Sequence, residues 1–196
     1  NAVNDNEVLK SDESFVELAR KLPKQDIYQE IENATPLSKT SIYRVPHIIW
    51  RRFDKLENLP SGLLLIGDTF CRIDPVFGQG MSIAVLETLA LKKLLQKHHR
   101  ELDKVPTAFH KKAGKIIGPI WNMVITEDFR YSETRGKKPV GLSIQQWYAK
   151  KIFLLSSQNQ YVYDSFIKVM NLVRPITSLM KPSIIKSVLI YAFSRK

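Results

Sequence analysis

The residues able to do chemistry gather between Gly62 and Leu95. The chain there reads Gly-Leu-Leu-Leu-Ile-Gly-Asp-Thr-Phe-Cys-Arg-Ile-Asp-Pro-Val-Phe-Gly-Gln-Gly-Met-Ser-Ile-Ala before an apolar-periodic stretch. Four apolar residues between Gly62 and Gly67 predict a short strand buried on both faces, the pattern of a parallel sheet covered by helices. Asp68 then falls at the strand's carboxyl edge, where open α/β sheets place ligands, and its carboxylate could accept hydrogen bonds from sugar or polyol hydroxyls. Gly67 permits close approach of the backbone. Gly78-Gln79-Gly80 opens the next helix without side-chain bulk, so that free N–H groups and the positive end of the helix dipole face the crevice. Such an end stabilises negative charge. A glycine-flanked turn also joins strand to helix in many α/β proteins without a ligand, and Gly-x-Gly alone leaves both readings open.

Other candidates weigh less. Cys71 is the single cysteine, so neither an intrachain disulfide nor a thiolate metal site can form. With no base evident nearby, it reads as a small packing residue rather than a nucleophile. His98 and His99 are adjacent at a helix end, a poor arrangement for joint metal ligation. His47 could line a substrate cavity or pack at a sheet edge. Arg51 and Arg52 could contact a phosphate or ribose, or pair with Glu57 or another carboxylate. Trp121, Phe129, Tyr131 and Trp147 read as core aromatics of the helical tail. No Ser/His/Asp triad, Walker loop or metal cluster can be argued from spacing.

The elements that must position these residues follow from periodicity and breakers. Ser11 to Ser14 offer N-cap residues for a helix over Phe15–Leu22 that Pro23 ends, and a second helix is expected over Asp26–Ala34. From Ser38 to Phe53, Ile42, Tyr43, Val45, His47, Ile48, Ile49 and Trp50 predict an extended segment interrupted at Pro46, an edge or a bulge. Met81 to Leu95 carry a broad apolar helical face running to about His98, with Lys92, Lys93 and Lys97 in the last turns, where cations suit the macrodipole. Helices are expected over 105–115, 116–128, 143–158, 161–173 and 183–193, with an exposed loop over Arg130–Gly141. The fold class is mixed α and β, helix-dominated. Three regions follow: residues 1–60 with short helices and β segments, the strand–loop–helix of 61–98, and a basic helical region over 99–196.

Composition bounds the rest. The 196 residues are 44% hydrophobic and 25% charged, ordinary values for one good core. The net charge of +11 is uneven, with a balance of −1 over residues 1–96 and +12 over residues 97–196. A basic second half suits either an anionic partner or a merely solvated surface. No nucleic-acid module is recognisable, so nucleic acid is not expected as a partner. There is no signal-peptide pattern, and the apolar runs are far too short to span a bilayer. A cytoplasmic location is expected, with peripheral membrane contact through the C-terminal helices as an option. There Ile184, Ile185, Val188, Leu189 and Ile190 could form an interfacial face beside Lys186, Arg195 and Lys196.

The complete pattern of Gly67, Asp68, Pro75, Gly78, Gly80 and Met81 resembles the second flavin-binding motif of the group A flavoprotein monooxygenases. The related geranylgeranyl-reductase-like and halogenase enzymes share that motif. Trp50-Arg51-Arg52-Phe53, Pro60-Ser61-Gly62-Leu63, Phe77 to Met81, Pro119-Ile120-Trp121, Asp128-Phe129-Arg130 and the helical tail with Pro175 are similar to a branch of FAD-dependent oxidoreductases. The resemblance implies the C-terminal portion of a Rossmann-like, glutathione-reductase-type FAD-binding fold. Asp68 would contact the ribityl hydroxyls, and Gly67 would let the backbone come close. The backbone around Pro75 would border the isoalloxazine ring. Gly78 and Gln79 would belong to the same cofactor-binding loop, and amides near Gly80, Met81 and Ser82 would face the ring's pyrimidine edge. FAD is the implied cofactor and NAD(P)H the implied co-substrate, with no catalytic side chain assigned. The implied reaction is monooxygenation of a small or lipid-like organic molecule. An isoprenoid reductase of the same superfamily is the near alternative, and a non-catalytic binding or membrane-association module with a degenerate motif is the distant one.

Two departures qualify the likeness. Cys71 stands where many members carry His in Gly-Asp-Ala-Ala-His. The family's Gly-x-Gly-x-x-Gly, which holds the FAD pyrophosphate, does not occur in these residues. Because Asn1 rather than Met begins the chain, it is expected to be a piece of a longer protein. Its partner would be a dinucleotide-binding portion preceding it, without which FAD should bind weakly.

Overall fold

The computed structural model describes residues 12–41, 45 and 47–194. Ser11, Ile42, Tyr43, Pro46, Arg195 and Lys196, named in the sequence reading, lie outside them. The chain divides into two compact units, Asn1–Pro46 and His47–Lys196.

In the first unit, helix α1 (Asp12–Arg20) and helix α2 (Asp26–Ile31) form a short pair. Arg20 donates to the Tyr28 hydroxyl at 2.8 Å. Gln25 closes the intervening turn by donating its side-chain amide to the Leu22 carbonyl at 2.6 Å. The second helix ends three residues before the predicted Ala34.

The second unit is helix-dominated, with one two-stranded sheet. Strand β1 (Ile49–Trp50) pairs antiparallel with strand β2 (Cys71–Arg72), Trp50 lying opposite Cys71. The other elements are helices α3 (Gly80–Lys97), α4 (Val105–Asp128), α5 (Leu142–Ser156), α6 (Gln160–Met170) and α7 (Pro182–Ser194). Two cores result. Phe70, Ile73 and Ile83 pack with Phe109, Ala113, Ile117 and Val124 of α4 in one. Ile152, Leu155, Val162, Val169, Ile184, Val188 and Tyr191 join α5, α6 and α7 in the other.

The segment Leu63–Ile66 is not a buried strand: it forms no ladder, and Leu63, Leu64 and Ile66 are each more than a third exposed. A short apolar run is buried on both faces only when strands flank it, and none among the described residues does. The helices expected over 105–115 and 116–128 are one helix, with Pro119 inside it. Proline removes one intrahelical bond, and packing of Ile117 and Ile120 into the first core offsets that loss. Tyr131 is 64% exposed and Trp147 41%, so neither is a core aromatic. Of the proposed interfacial face on α7, Ile184 and Val188 are fully buried, while Leu189 and Ile190 are exposed. Among the described residues no helix is long and apolar enough to cross a membrane.

Candidate functional site

The segment before Asp68 is held by side chains from two helices. His110 of α4 accepts the Leu65 N–H on Nε2 at 3.1 Å. Its Nδ1 lies 2.9 Å from the Pro106 carbonyl. Accepting on one nitrogen and donating from the other requires the neutral ring, and burial lowers the His110 pKa accordingly. Glu87 of α3, fully buried, accepts the Gly67 N–H at 2.7 Å. Its second oxygen has no partner, and burial raises its pKa. Leu65 and Gly67 are two apart, so one edge of an extended backbone is satisfied by these two side chains. The N–H groups of Leu64 and Ile66, on the other edge, find no acceptor among the described residues.

Gly67 adopts φ 60°, a left-handed conformation that favours glycine, and starts a single 3-10 turn over Gly67–Thr69. Thr69 donates its hydroxyl to the Ile66 carbonyl at 2.5 Å. Arg51 donates to the Thr69 carbonyl at 3.1 Å and to that of Asp68 at 3.3 Å. Its neighbour Arg52 pairs instead with Asp54, through bonds of 2.9 and 2.7 Å, and stacks 3.8 Å over the Trp50 ring. The carboxylate that engages Arg52 is thus Asp54, not Glu57. The Asp68 side chain is exposed and makes no hydrogen bond among the described residues.

The second half of the motif is built by Asp74, whose carboxylate accepts the Val76 N–H at 2.9 Å and starts a 3-10 turn over Pro75–Phe77. Gly78 follows at φ 63°, and Gln79 is 2% exposed. Gln79 donates to the Met170 carbonyl at the end of α6 at 2.7 Å, while its own carbonyl oxygen Oε1 is buried without a partner. Helix α3 then starts without a side-chain cap. Ile83 is its first residue whose N–H is satisfied, by the Gln79 carbonyl at 2.9 Å. The N–H groups of Gly80, Met81 and Ser82 have no acceptor among the described residues. A side chain built at Gly80 would meet nothing within 4 Å. Packing within the chain therefore does not demand glycine there. Met81 is 83% exposed and Ser82 half-buried.

Gly67 is tied to α3 through Glu87, two turns in from Gly80, about 10 Å along the axis. Among the described residues, the arrangement offers an uncapped helix N-terminus, an unpaired carboxylate at Asp68 and a 3-10 turn at Pro75–Phe77 capped by Asp74. It can receive a ligand that has hydroxyls on one part and an electron-rich acceptor on another. Cys71 takes no part: burial raises its thiol pKa to about 12, which leaves it protonated and unreactive. His47 is exposed, and His98 lies 4.0 Å from Glu101 at the end of α3. The sequence reading missed Glu87 and His110. A lone acid on the apolar face of α3 was the available signal for the first. The second is one of four histidines and carried none.

No protein-family model matches the chain. It is 28% identical to Protein Rv3254 of Mycobacterium tuberculosis (strain H37Rv) over 115 residues, which is 58% of this chain and 24% of that protein. The chain therefore spans about a quarter of that relative's length.

Proposed function

We propose that this chain is the flavin-contacting portion of an FAD-dependent oxidoreductase, a monooxygenase acting on a small or lipid-like organic molecule. One observation carries the reading: the N–H groups of Gly80, Met81 and Ser82, without an acceptor among the described residues, border space that a Gly80 side chain would enter freely. Glycine is needed there if a flat ligand lies against the backbone. The unpaired Asp68 carboxylate supports the same reading, since it is free to accept from ribityl hydroxyls.

The residues fit the group. When bound, FAD supplies the electron transfer from NAD(P)H and the reaction with O₂. The chain's own part is to bind and orient. The N–H groups of Gly80–Ser82 and the dipole of α3 favour negative charge on the ring's pyrimidine edge. The turn at Pro75–Phe77 forms a wall, Arg51 fixes the carbonyls of Asp68 and Thr69, and Glu87 fixes Gly67. The pyrophosphate would be held by a dinucleotide-binding portion elsewhere in the protein. The free edge at Leu64 and Ile66, with its exposed apolar side chains, suits a strand that such a portion pairs with.

Two substitutions in the full-length protein test this. Asp68→Ala removes a charge-assisted hydrogen bond worth ~1.5–3 kcal/mol, a ten- to hundredfold weaker FAD affinity by titration of flavin absorbance. Gly80→Ala leaves thermal stability intact, because the space is open, yet lowers flavin affinity. Unchanged affinity in both variants, or no flavin in the purified full-length protein, rejects the assignment.

A further inference from the structure

A cavity of about 590 Å³ lies among α4, α5, α6 and the 3-10 turn Ile176–Met180, with Phe77 in its wall. That volume is within the ~300–1,000 Å³ of small-molecule sites. Its composition is graded. Ile152, Phe153, Phe166, Val169, Leu179 and three methionines make an apolar body, and the polar side chains all come from the α4–α5 side. Most of those are already satisfied. Arg130 pairs with Glu127 at 2.5 and 3.0 Å, so neither brings an uncompensated charge. Thr126 donates to the Asn122 carbonyl at 2.7 Å, and Gln145 accepts from the Asn122 side chain at 2.9 Å. Asn122, exposed like the remaining cation Lys150, has a side-chain oxygen with no bonding partner among the described residues, and both stand at the rim.

We infer that this cavity binds an elongated apolar molecule with one uncharged polar end, of the class of a long-chain alcohol. The apolar lining excludes water-loving ligands, since polar groups buried there would lose hydrogen bonds without replacement. The methionine side chains adapt to a chain of irregular shape. A hydroxyl head left at the mouth finds the exposed Asn122 oxygen as acceptor. A charged head would meet only paired ions inside.

The cavity shares structure with the glycine loop. Phe77 ends the turn that precedes Gly78, and Gln79 is bonded to Met170, itself a lining residue. A molecule in the cavity therefore lies against the loop proposed to border the flavin ring. Its role as the substrate's apolar pocket rests on the flavin reading, whereas the binding itself does not.

The test is a titration of the full chain, without added flavin, by a series of straight-chain primary alcohols displacing a fluorescent apolar probe. Affinity is expected to rise by about fourfold per methylene until the cavity is filled, and then to level off. The carboxylate of equal chain length should bind no better than the alcohol. Ala149→Phe, which fills the lining from α5, and Met180→Glu, which puts a charge on it, should each weaken binding at least tenfold with unchanged unfolding temperature. Equal affinity in wild type and both folded variants overturns the site, and tighter binding of the carboxylate overturns the uncharged head. Unchanged flavin affinity in the Asp68 and Gly80 tests, which rejects the flavin reading, would leave these results standing, and so the two failures are separable.

Discussion

Replacing Glu87 by Gln and by Ala separates what its hydrogen bond contributes from what its charge costs. The wild-type carboxyl is fully buried, accepts one bond of 2.7 Å from Gly67 and leaves its other oxygen without a partner. Burial raises its pKa, so the folded state holds the proton more tightly than the unfolded one. Its contribution is thus full below the unfolded-state carboxyl range, about 4.3, and is lost as pH rises through the folded value, where the unfolded state binds fewer protons. Glu87→Gln keeps an acceptor for Gly67 and cannot ionise. It should match wild type at acid pH and exceed it at neutral pH. Glu87→Ala strands the Gly67 N–H, at ~1–3 kcal/mol over and above the packing lost. At roughly 2–4 °C per kcal/mol for a domain of this size, that gap is readable in thermal melts across pH. Asp128, raised to about 6 by burial, with Asp74 and Glu127 adding to it, loses stability in the same direction. The series is therefore run in an Asp128→Asn background. Parallel pH profiles for wild type and Glu87→Gln, or equal stability of Gln and Ala variants at neutral pH, would refute the assigned role.

Gly114→Ala should destabilise the second unit despite the helix propensity gained, because the new Cβ would sit 2.7 Å from the Cβ of Asp54. Overpacking of ~1–3 kcal/mol is expected in a denaturant titration, and a neutral result would show that Asp54 moves away freely. With Ile184 and Val188 of α7 committed to the core, co-sedimentation with anionic vesicles at low salt should show no lipid-dependent pelleting. Pelleting that fades at high salt would instead assign Leu189, Ile190 and Lys186 to a membrane surface.

Helices were legible where apolar spacing repeated over several turns, as from Met81 to Leu95, and the helical dominance followed from them. The glycine loop was legible because Gly67 and Gly78 take backbone conformations that few other residues adopt. Leu63–Ile66 misled, because a run of apolar residues specifies burial only together with its neighbours. Glu87 and His110 escaped for a related reason: the N–H groups they accept lie 20 and 45 residues away in sequence, and no local pattern announces such a pairing. Tyr131 and Trp147 were assigned inward by residue type, yet the core places of the helical region are filled by Ile152, Leu155, Val162, Val169, Ile184, Val188 and Tyr191.

The bond from Gln79 to the Met170 carbonyl, 91 residues apart, has a consequence for inheritance. A glycine loop able to work by itself could move between proteins as a short cassette. Here an exchange that replaced α6 without bringing a carbonyl to the place of Met170's would leave the whole Gln79 amide without a partner, at the mouth of the helix it precedes. The loop and the C-terminal helices are consequently obliged to travel through evolution together, and a chimaera that joins them from different ancestors must match the residue that stands at 79 to the carbonyl that closes α6.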